Sequence, residues 1–370
     1  MKIAIVLNTS WNIYNFRMGL VSSFIQNGHT VYAIAPHDKY SSALTESGCQ
    51  YVELKMDSRG ANPVKDMGLI IELYRIYKKI RPDIILHFTI KPNIYGTIAA
   101  RLLKIPVINN VCGLGTIFLT NNLTSKIAIF MYKMVFRFPK NIFFQNEDDK
   151  KLFIEKKLAK ESICHLLPGS GIDLEKFKPT LTSNNKKFTF LLVSRLIHDK
   201  GILEYVEAIR QLKGKGVEAD FQLLGSKDTK HKRGIPSVVI DDWIKNDLVT
   251  YLGATDQVTD YLEKADCVVL PSYREGTPRS LLEAASLGKP IITTDVPGCR
   301  QVVLNGKNGL LCQVKSATDL AEKMEHMLNM GRLEREQMGI SGRKLMEEQF
   351  DEQRVIQIYQ QQINQIVKTH

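Results

Sequence analysis

Short apolar runs alternate with amphipathic stretches along the first half of the chain. Lys2–Leu7 and Thr30–Ala35 are runs of strand length, and Phe16–Gln26 between them repeats its apolar residues at helical spacing before Asn27-Gly28. The pattern then predicts a helix over roughly Val64–Ile80, a strand over Asp83–His87, a helix over Tyr95–Leu103 and a strand over Val107–Val111. A glycine turn at Gly113-Leu114-Gly115 follows, then a long apolar and basic helix to about Phe138 and a strand at Asn141–Gln145. Pro179–Lys187 is polar and poor in apolar residues, and is read as a linker. Beyond it the alternation restarts, with strands at Phe188–Val193, Asp220–Leu224, Thr250–Leu252, Cys267–Leu270 and Ile291–Thr293. Helices fall at Gly201–Lys213, Val258–Lys264, Ser280–Leu287, Ala317–Met330 and Asp351–Val367. Strand and helix at this spacing predict an α/β fold of two Rossmann-like, doubly wound domains. Their expected extents are 1–180, 181–350 and a closing helix 351–370 that packs back on the first. Facing across a cleft, two such domains present the carboxyl ends of their strands, where α/β folds bind ligands.

Length and composition agree with this picture, since 370 residues suit two domains and 44% hydrophobic with 24% charged residues suits a folded core in each. The six cysteines, Cys49, Cys112, Cys164, Cys267, Cys299 and Cys312, lack CxxC or CxH spacing, which argues against zinc and fits reduced thiols in the cytoplasm. The opening apolar run turns polar at Asn8, too soon for a signal peptide, and no window reaches the ~20 apolar residues of a spanning helix. Charge changes the picture more. Residues 1–180 hold 24 Lys and Arg against 14 Asp and Glu, whereas the rest hold 26 against 25. No acid occurs from Ile84 through Asn146, an interval that contains Lys91, Arg101, Lys104, Lys126, Lys133, Arg137 and Lys140. A basic half implies an anionic partner: a phosphate-bearing substrate, an acidic membrane surface or nucleic acid.

Two segments carry candidate chemistry. In Leu270-Pro271-Ser272-Tyr273-Arg274-Glu275-Gly276-Thr277-Pro278-Arg279-Ser280-Leu281-Leu282-Glu283, a strand ends, a turn of Gly276, Thr277 and Pro278 follows, and a helix starts at Ser280-Leu281. Amides at a helix start suit a diphosphate, and carboxylates at Glu275 and Glu283 suit sugar and ribose hydroxyls. In Ser194-Arg195-Leu196-Ile197-His198-Asp199-Lys200-Gly201, directly after the first strand of the second half, Arg195 and Lys200 can converge on one diphosphate. Their charge would stabilise it as it departs. Alone, a Glu-x7-Glu spacing is usually two solvated helix carboxylates; beside Arg195 and Lys200 the donor reading prevails.

These elements, with Gly169-Ser170-Gly171-Ile172-Asp173 and Phe177, resemble the retaining family 4 glycosyltransferases of the GT-B fold. The resemblance covers nearly the whole chain. It implies that Glu275 meets the donor sugar, Glu283 the ribose, and Arg195 and Lys200 the diphosphate, with no metal or other cofactor. Many relatives have Phe where Thr277 stands. In the first half Asn12-Ile13-Tyr14-Asn15-Phe16-Arg17, Ser58-Arg59-Gly60-Ala61-Asn62-Pro63, His87-Phe88-Thr89-Ile90-Lys91-Pro92-Asn93 and Gly113-Leu114-Gly115 resemble the capsule, O-antigen and general-glycosylation branch. Members of that branch, N-acetylgalactosaminyltransferases of bacterial N-glycosylation among them, extend an undecaprenyl-diphosphate-linked sugar at the inner membrane face. The double glycine that many relatives carry in the first loop is replaced by Asn8 to Asn12.

The expected function is transfer of a hexose or N-acetylhexosamine from a UDP-sugar to a polyprenyl-diphosphate-linked acceptor, at the cytoplasmic face of the plasma membrane. Acceptor-side candidates are Asn15, Arg17, His87, Lys91, Gly113 and Gly115. His87 reads equally as a core histidine, Arg17 as a helix surface charge, and Glu147-Asp148-Asp149 as the first turn of a helix rather than a metal site. Ile127–Phe138 reads as a core helix or as one at an anionic headgroup layer, and the second is preferred. A GT-B-fold UDP-sugar 2-epimerase and a basic nucleic-acid-binding protein are the alternatives. The first lacks support from the acceptor motifs, and the second has no reading motif.

Overall fold

The computed structural model describes residues 1–57, 63–114, 123–179, 187–229 and 231–368. The chain divides into two compact units, one of Met1–Gly171 with Glu352–His370 and one of Ile172–Asp351.

Seven parallel strands form the sheet of the first unit: β1 (Lys2–Val6), β2 (Thr30–Ala35), β3 (Gln50–Glu53), β4 (Ile84–Phe88), β5 (Val107–Val111), β6 (Asn141–Phe144) and β7 (Cys164–Leu166). Their order is β3-β2-β1-β4-β5-β6-β7, so the winding reverses at β1, where Ile3 lies opposite Val31 on one side and Ile84 on the other. Helices cover both faces. Ile3, Ile5 and Leu86 join one core, while Ala4, Val6 and Ile85 join another. Burial on both faces is why these strands read as continuous apolar runs instead of alternating ones. The helix Ser10–Gln26 starts well before Phe16, because Thr9 in extended backbone accepts the Asn12 amide at 3.1 Å and caps it. Glu147, Asp148 and Asp149 form the first turn of the helix Glu147–Glu155, capped by Asn146. The closing helix, Glu352–Lys368, buries Val355, Ile356, Tyr359 and Ile363 in the core that holds Leu20 and Phe24.

The second unit repeats the design. Strands β8 (Thr189–Val193), β9 (Asp220–Leu224), β10 (Thr250–Tyr251), β11 (Cys267–Leu270), β12 (Ile291–Thr294) and β13 (Gly309–Cys312) are parallel, in the order β10-β9-β8-β11-β12-β13. The winding again reverses at its first strand, β8, between β9 and β11. The units divide between Gly171 and Ile172, ahead of the polar stretch Pro179–Lys187, whose residues 180–186 lie outside those described. Ile172 and Phe177 are already buried in the core of the second unit, which draws the boundary forward.

Candidate functional site

The second unit gathers its charged residues where β8 and β11 end. After β8 a single tight turn, His198–Lys200, leads into Gly201 (φ 69) and the helix Ile202–Gly214. A Cβ at Gly201 would stand 2.0 Å from the Pro271 carbonyl oxygen, so only glycine lets this turn press on the loop after β11. The contact sets Lys200 against Glu275. The ammonium donates to Glu275 Oε1, and Ser272 Oγ donates to the same oxygen at 2.7 Å. From behind, the Glu275 amide donates to the Pro297 carbonyl at 3.1 Å. Gly298 (φ 84) comes so close that a Cβ there would fall 2.5 Å from the Gly276 carbonyl oxygen.

Arg195 does not join this pair. Its guanidinium lies 3.6 Å from the buried Asp228 carboxylate and is itself 56% exposed. Arg233, from the loop after β9, pairs with Asp199 at 2.6 Å, and the Asp199 carbonyl accepts the Tyr273 amide at 2.9 Å. Asp228, Arg233, Ser272 and the Pro297-Gly298 support lie outside any motif in the sequence. The site therefore keeps its cations on internal carboxylates, each of which an incoming phosphate could displace.

Pro278 leads into the helix Arg279–Ser286, whose first turn leaves amides without intrahelical partners. Gly276 and Pro278 are buried, while Thr277 and Ser280 are half-buried. Leu281 is a correction to the expected donor contacts: its side chain is in the core and its amide donates to the Pro278 carbonyl at 3.1 Å. Glu283 is buried and accepts from Arg279 Nε at 3.0 Å. Burial pushes its carboxyl above the usual range, against the pull of Arg279 and Lys176. This carboxylate is held by Arg279 on its own helix, whereas Glu275 is held by Lys200 and Ser272. Glu283→Gln is expected to weaken UDP binding and Glu275→Gln to slow transfer, with isothermal titration of both variants as the check. Equal loss of UDP affinity would contradict separate roles.

In the first unit a cavity of about 230 Å³ opens at the carboxyl ends of β1, β4 and β5, where the strand order reverses. Lys91 and Gly113 line it, with Asn8, Thr89, Asn93 and Cys112. Lys91 donates to Asp66 Oδ1 at 3.0 Å, and the Tyr95 hydroxyl donates to the other oxygen at 2.9 Å. Asn15 donates to the Trp11 carbonyl at 3.0 Å on its own helix and is not among the cavity residues. Gly115 lies outside the described residues, as does the segment Ser58 to Asn62.

One acceptor-side expectation, His87, and one alternative reading, that of Arg17 as a surface charge, are corrected. His87 is fully buried, with Nε2 against the Tyr77 hydroxyl at 2.9 Å and Nδ1 against Asn109 Oδ1 at 3.1 Å. Both ring nitrogens are satisfied, so this is a core histidine. Burial pulls its pKa from 6.5 to about 3. The fold holds the neutral ring, so its contribution is complete above pH 6.5 and declines as pH falls toward 3. The loss is about 2 kcal/mol at pH 5. Urea unfolding at pH 7 and pH 5 should show that drop in the wild type and a smaller one in His87→Gln. Arg17 is likewise no surface charge: it is 7% exposed, over the Phe88 ring at 4.7 Å, and donates to the Phe16 carbonyl at 3.2 Å.

The helix Leu123–Val135 has two characters. Tyr132 and Val135, with Phe136 just beyond, enter the core, while Ile127, Phe130, Met134 and Phe138 are exposed. Arg101 and Arg137 flank the Phe138 ring at 5.3 and 5.1 Å. No helix among the described residues is long and apolar enough to cross a membrane. No group of three or more His, Cys, Asp or Glu among them could hold a metal ion.

Residues 173–345 match the family described as Glycosyl transferases group 1, and residues 2–146 match Glycosyl transferase 4-like. The chain is 29% identical, over the full length of both, to the N,N'-diacetylbacillosaminyl-diphospho-undecaprenol alpha-1,3-N-acetylgalactosaminyltransferase of Campylobacter jejuni. It is 28% identical, over 69% of each chain, to the UDP-Gal:alpha-D-GlcNAc-diphosphoundecaprenol alpha-1,3-galactosyltransferase of Escherichia coli. Among solved structures, HepE of Anabaena with UDP and glucose superposes with a TM-score of 0.80 at 16% identity, over the whole of both chains. The epimerase alternative is not favoured by these relatives. The chain belongs to the family 4 glycosyltransferases of the GT-B fold, enzymes of the hexosyltransferase class.

Proposed function

We propose that the enzyme moves a hexose or N-acetylhexosamine from a UDP-sugar, with retention of configuration, to a sugar carried on a polyprenyl diphosphate. The observation that carries this is the pairing of Lys200 with Glu275, in a unit that also holds Arg195 on Asp228 and the buried Glu283, in a chain 29% identical over its full length to a lipid-linked sugar transferase. In the mechanism the UDP diphosphate takes Lys200 and Arg195 from Glu275 and Asp228, and the first turn of the helix Arg279–Ser286 adds its amides. Glu275, released from the ammonium, accepts from hydroxyls of the donor sugar. An acceptor hydroxyl attacks the anomeric carbon on the face from which UDP departs, its proton passing to the leaving phosphate. The cations stabilise negative charge developing on that phosphate, and their effect grows as water is excluded.

The reading needs no metal, because basic side chains and helix amides neutralise the diphosphate. It places the first unit on the anionic inner face of a bacterial plasma membrane. Support comes from the basic surplus before residue 180 and the exposed Ile127, Phe130, Met134 and Phe138. The test is turnover with UDP-, GDP- and ADP-sugars, each with and without excess EDTA. Activity with a UDP-sugar is expected to persist in chelator. Loss in EDTA that magnesium or manganese restores would refute metal independence.

A further inference from the structure

We propose that Tyr273 and Glu204 are positioning residues for the transfer, whose hydrogen bond keeps Lys200 aimed at the departing diphosphate after Glu275 has released it. The inference rests on the proposed function, which puts Lys200 on that diphosphate. Tyr273 stands two residues before Glu275 in the loop after β11, and Glu204 four residues after Lys200 in the first turn of the helix Ile202–Gly214. The Tyr273 hydroxyl donates to Glu204 Oε1 at 2.6 Å. This bond joins the same two segments that the Lys200–Glu275 pair joins.

The phenol is the second of two ties from one residue. The Tyr273 amide donates to the Asp199 carbonyl at 2.9 Å, so backbone and side chain grip the chain on either side of Lys200. Asp199 is itself paired with Arg233 at 2.6 Å, and Lys315 Nζ stands 5.0 Å from the centroid of the Tyr273 ring. Burial, with the Glu204 carboxylate beside it, pushes the phenol above its ordinary range, so the proton stays on the hydroxyl and the bond keeps its direction. Glu204 Oε2 is buried without a hydrogen-bond partner. Folded proteins leave few such atoms, and here the carboxylate is held through its other oxygen by the phenol.

The resting and donor-bound enzymes differ in which ties remain. At rest the ion pair and the two Tyr273 bonds all hold the segments together. When the diphosphate takes the ammonium the ion pair is gone, and the Tyr273 bonds persist. They then keep the cation in register, where a misplacement of about 1 Å can lose roughly 10²-fold in rate.

The experiment uses the full chain, with the UDP-sugar and polyprenyl-diphosphate-linked sugar that the wild type turns over. Turnover at saturating donor is measured for Tyr273→Phe, Glu204→Ala and Glu204→Gln, each with Lys200 present and in the Lys200→Ala background, alongside thermal unfolding. With Lys200 present, Tyr273→Phe and Glu204→Ala should each lower turnover about tenfold, the size of one lost hydrogen bond to a charged group. Neither should lower it further once Lys200 is alanine, because no cation is left to aim. Glu204→Gln, whose carbonyl oxygen still accepts, should keep most of the turnover. A merely structural tie would lower turnover by the same factor in both backgrounds. That result, or unchanged turnover in Tyr273→Phe and Glu204→Ala, overturns the inference and leaves the proposed function standing. Near-normal turnover in Lys200→Ala itself counts against the proposed function, and the inference falls with it.

Discussion

Alanine at Lys200 is expected to lower turnover at saturating donor by roughly 10²–10³, the usual cost of removing one preorganised group that stabilises developing charge. Lys200 has a double part: it would hold the leaving diphosphate, and in the resting enzyme it neutralises Glu275, whose side chain is only 12% exposed. Its removal leaves a partly desolvated carboxylate with Ser272 as a remaining donor, so thermal stability should fall as well. Arg195→Ala should likewise reduce turnover, and because the Asp228 carboxylate it covers is buried, its melting temperature should fall as well, although the guanidinium itself is half exposed. Steady-state kinetics and thermal unfolding of both variants provide the check. Near-normal turnover in both would move the active centre away from these loops.

The second large effect is expected at the membrane. Lys133, Arg137 and Lys140 are exposed, and Phe130, Met134 and Phe138 are exposed near them. Each basic residue at an anionic surface contributes about 1 kcal/mol, so reversing all three to glutamate should weaken vesicle binding by at least about a hundredfold. Wild-type binding should weaken as salt shortens the Debye length, down to a residue of apolar insertion that salt leaves in place. Arg137→Glu also strips one of the two guanidiniums from the Phe138 ring. Co-sedimentation with anionic and neutral vesicles, run alongside UDP titration, is the measurement. The triple variant should lose anionic vesicles and activity on lipid-linked acceptor while keeping UDP affinity. Equal sedimentation of both proteins would leave the exposed apolar residues as an ordinary helix surface.

Much of the fold was legible because its central strands are buried on both faces. β11 is an unbroken apolar run, β1, β2 and β8 are apolar after a first polar residue, and β4 is interrupted only by His87. β3, β7 and β13 escaped notice. Gln50–Glu53 and Cys164–Leu166 lie at the sheet edges and are mostly half-buried or exposed, so they carry no strong pattern, and Gly309–Cys312 is a short run at the other sheet's edge. The helix Ser237–Lys245 was missed for a similar reason, since only Ile240 and Trp243 are buried in it. Glu275, Glu283, Arg195 and Lys200 were visible because each pair belongs to one strand–loop–helix junction. Their partners were not. Asp228 and Arg233 come from the loop after β9, and Pro297 and Gly298 from the loop after β12; only the sheet order brings those loops alongside. His87 and Arg17 misled for one reason. Each is polar near the end of a strand or the start of a helix, and only residues distant in sequence, Tyr77 and Asn109 around His87 and Phe88 beneath Arg17, show that His87 is core and that Arg17 is buried.

The central claim is that a sugar passes from UDP to a lipid-linked sugar with its anomeric configuration kept. The most direct measurement incubates the enzyme with each of several UDP-sugars and a polyprenyl-diphosphate-linked N-acetylhexosamine, then takes the intact mass and the anomeric proton coupling of the product. The account predicts one added hexose or N-acetylhexosamine on the lipid-linked acceptor, in α linkage from an α-linked donor, with UDP released in equal amount. A β-linked product, or UDP-sugar consumed with no gain in mass on any lipid acceptor, would contradict it.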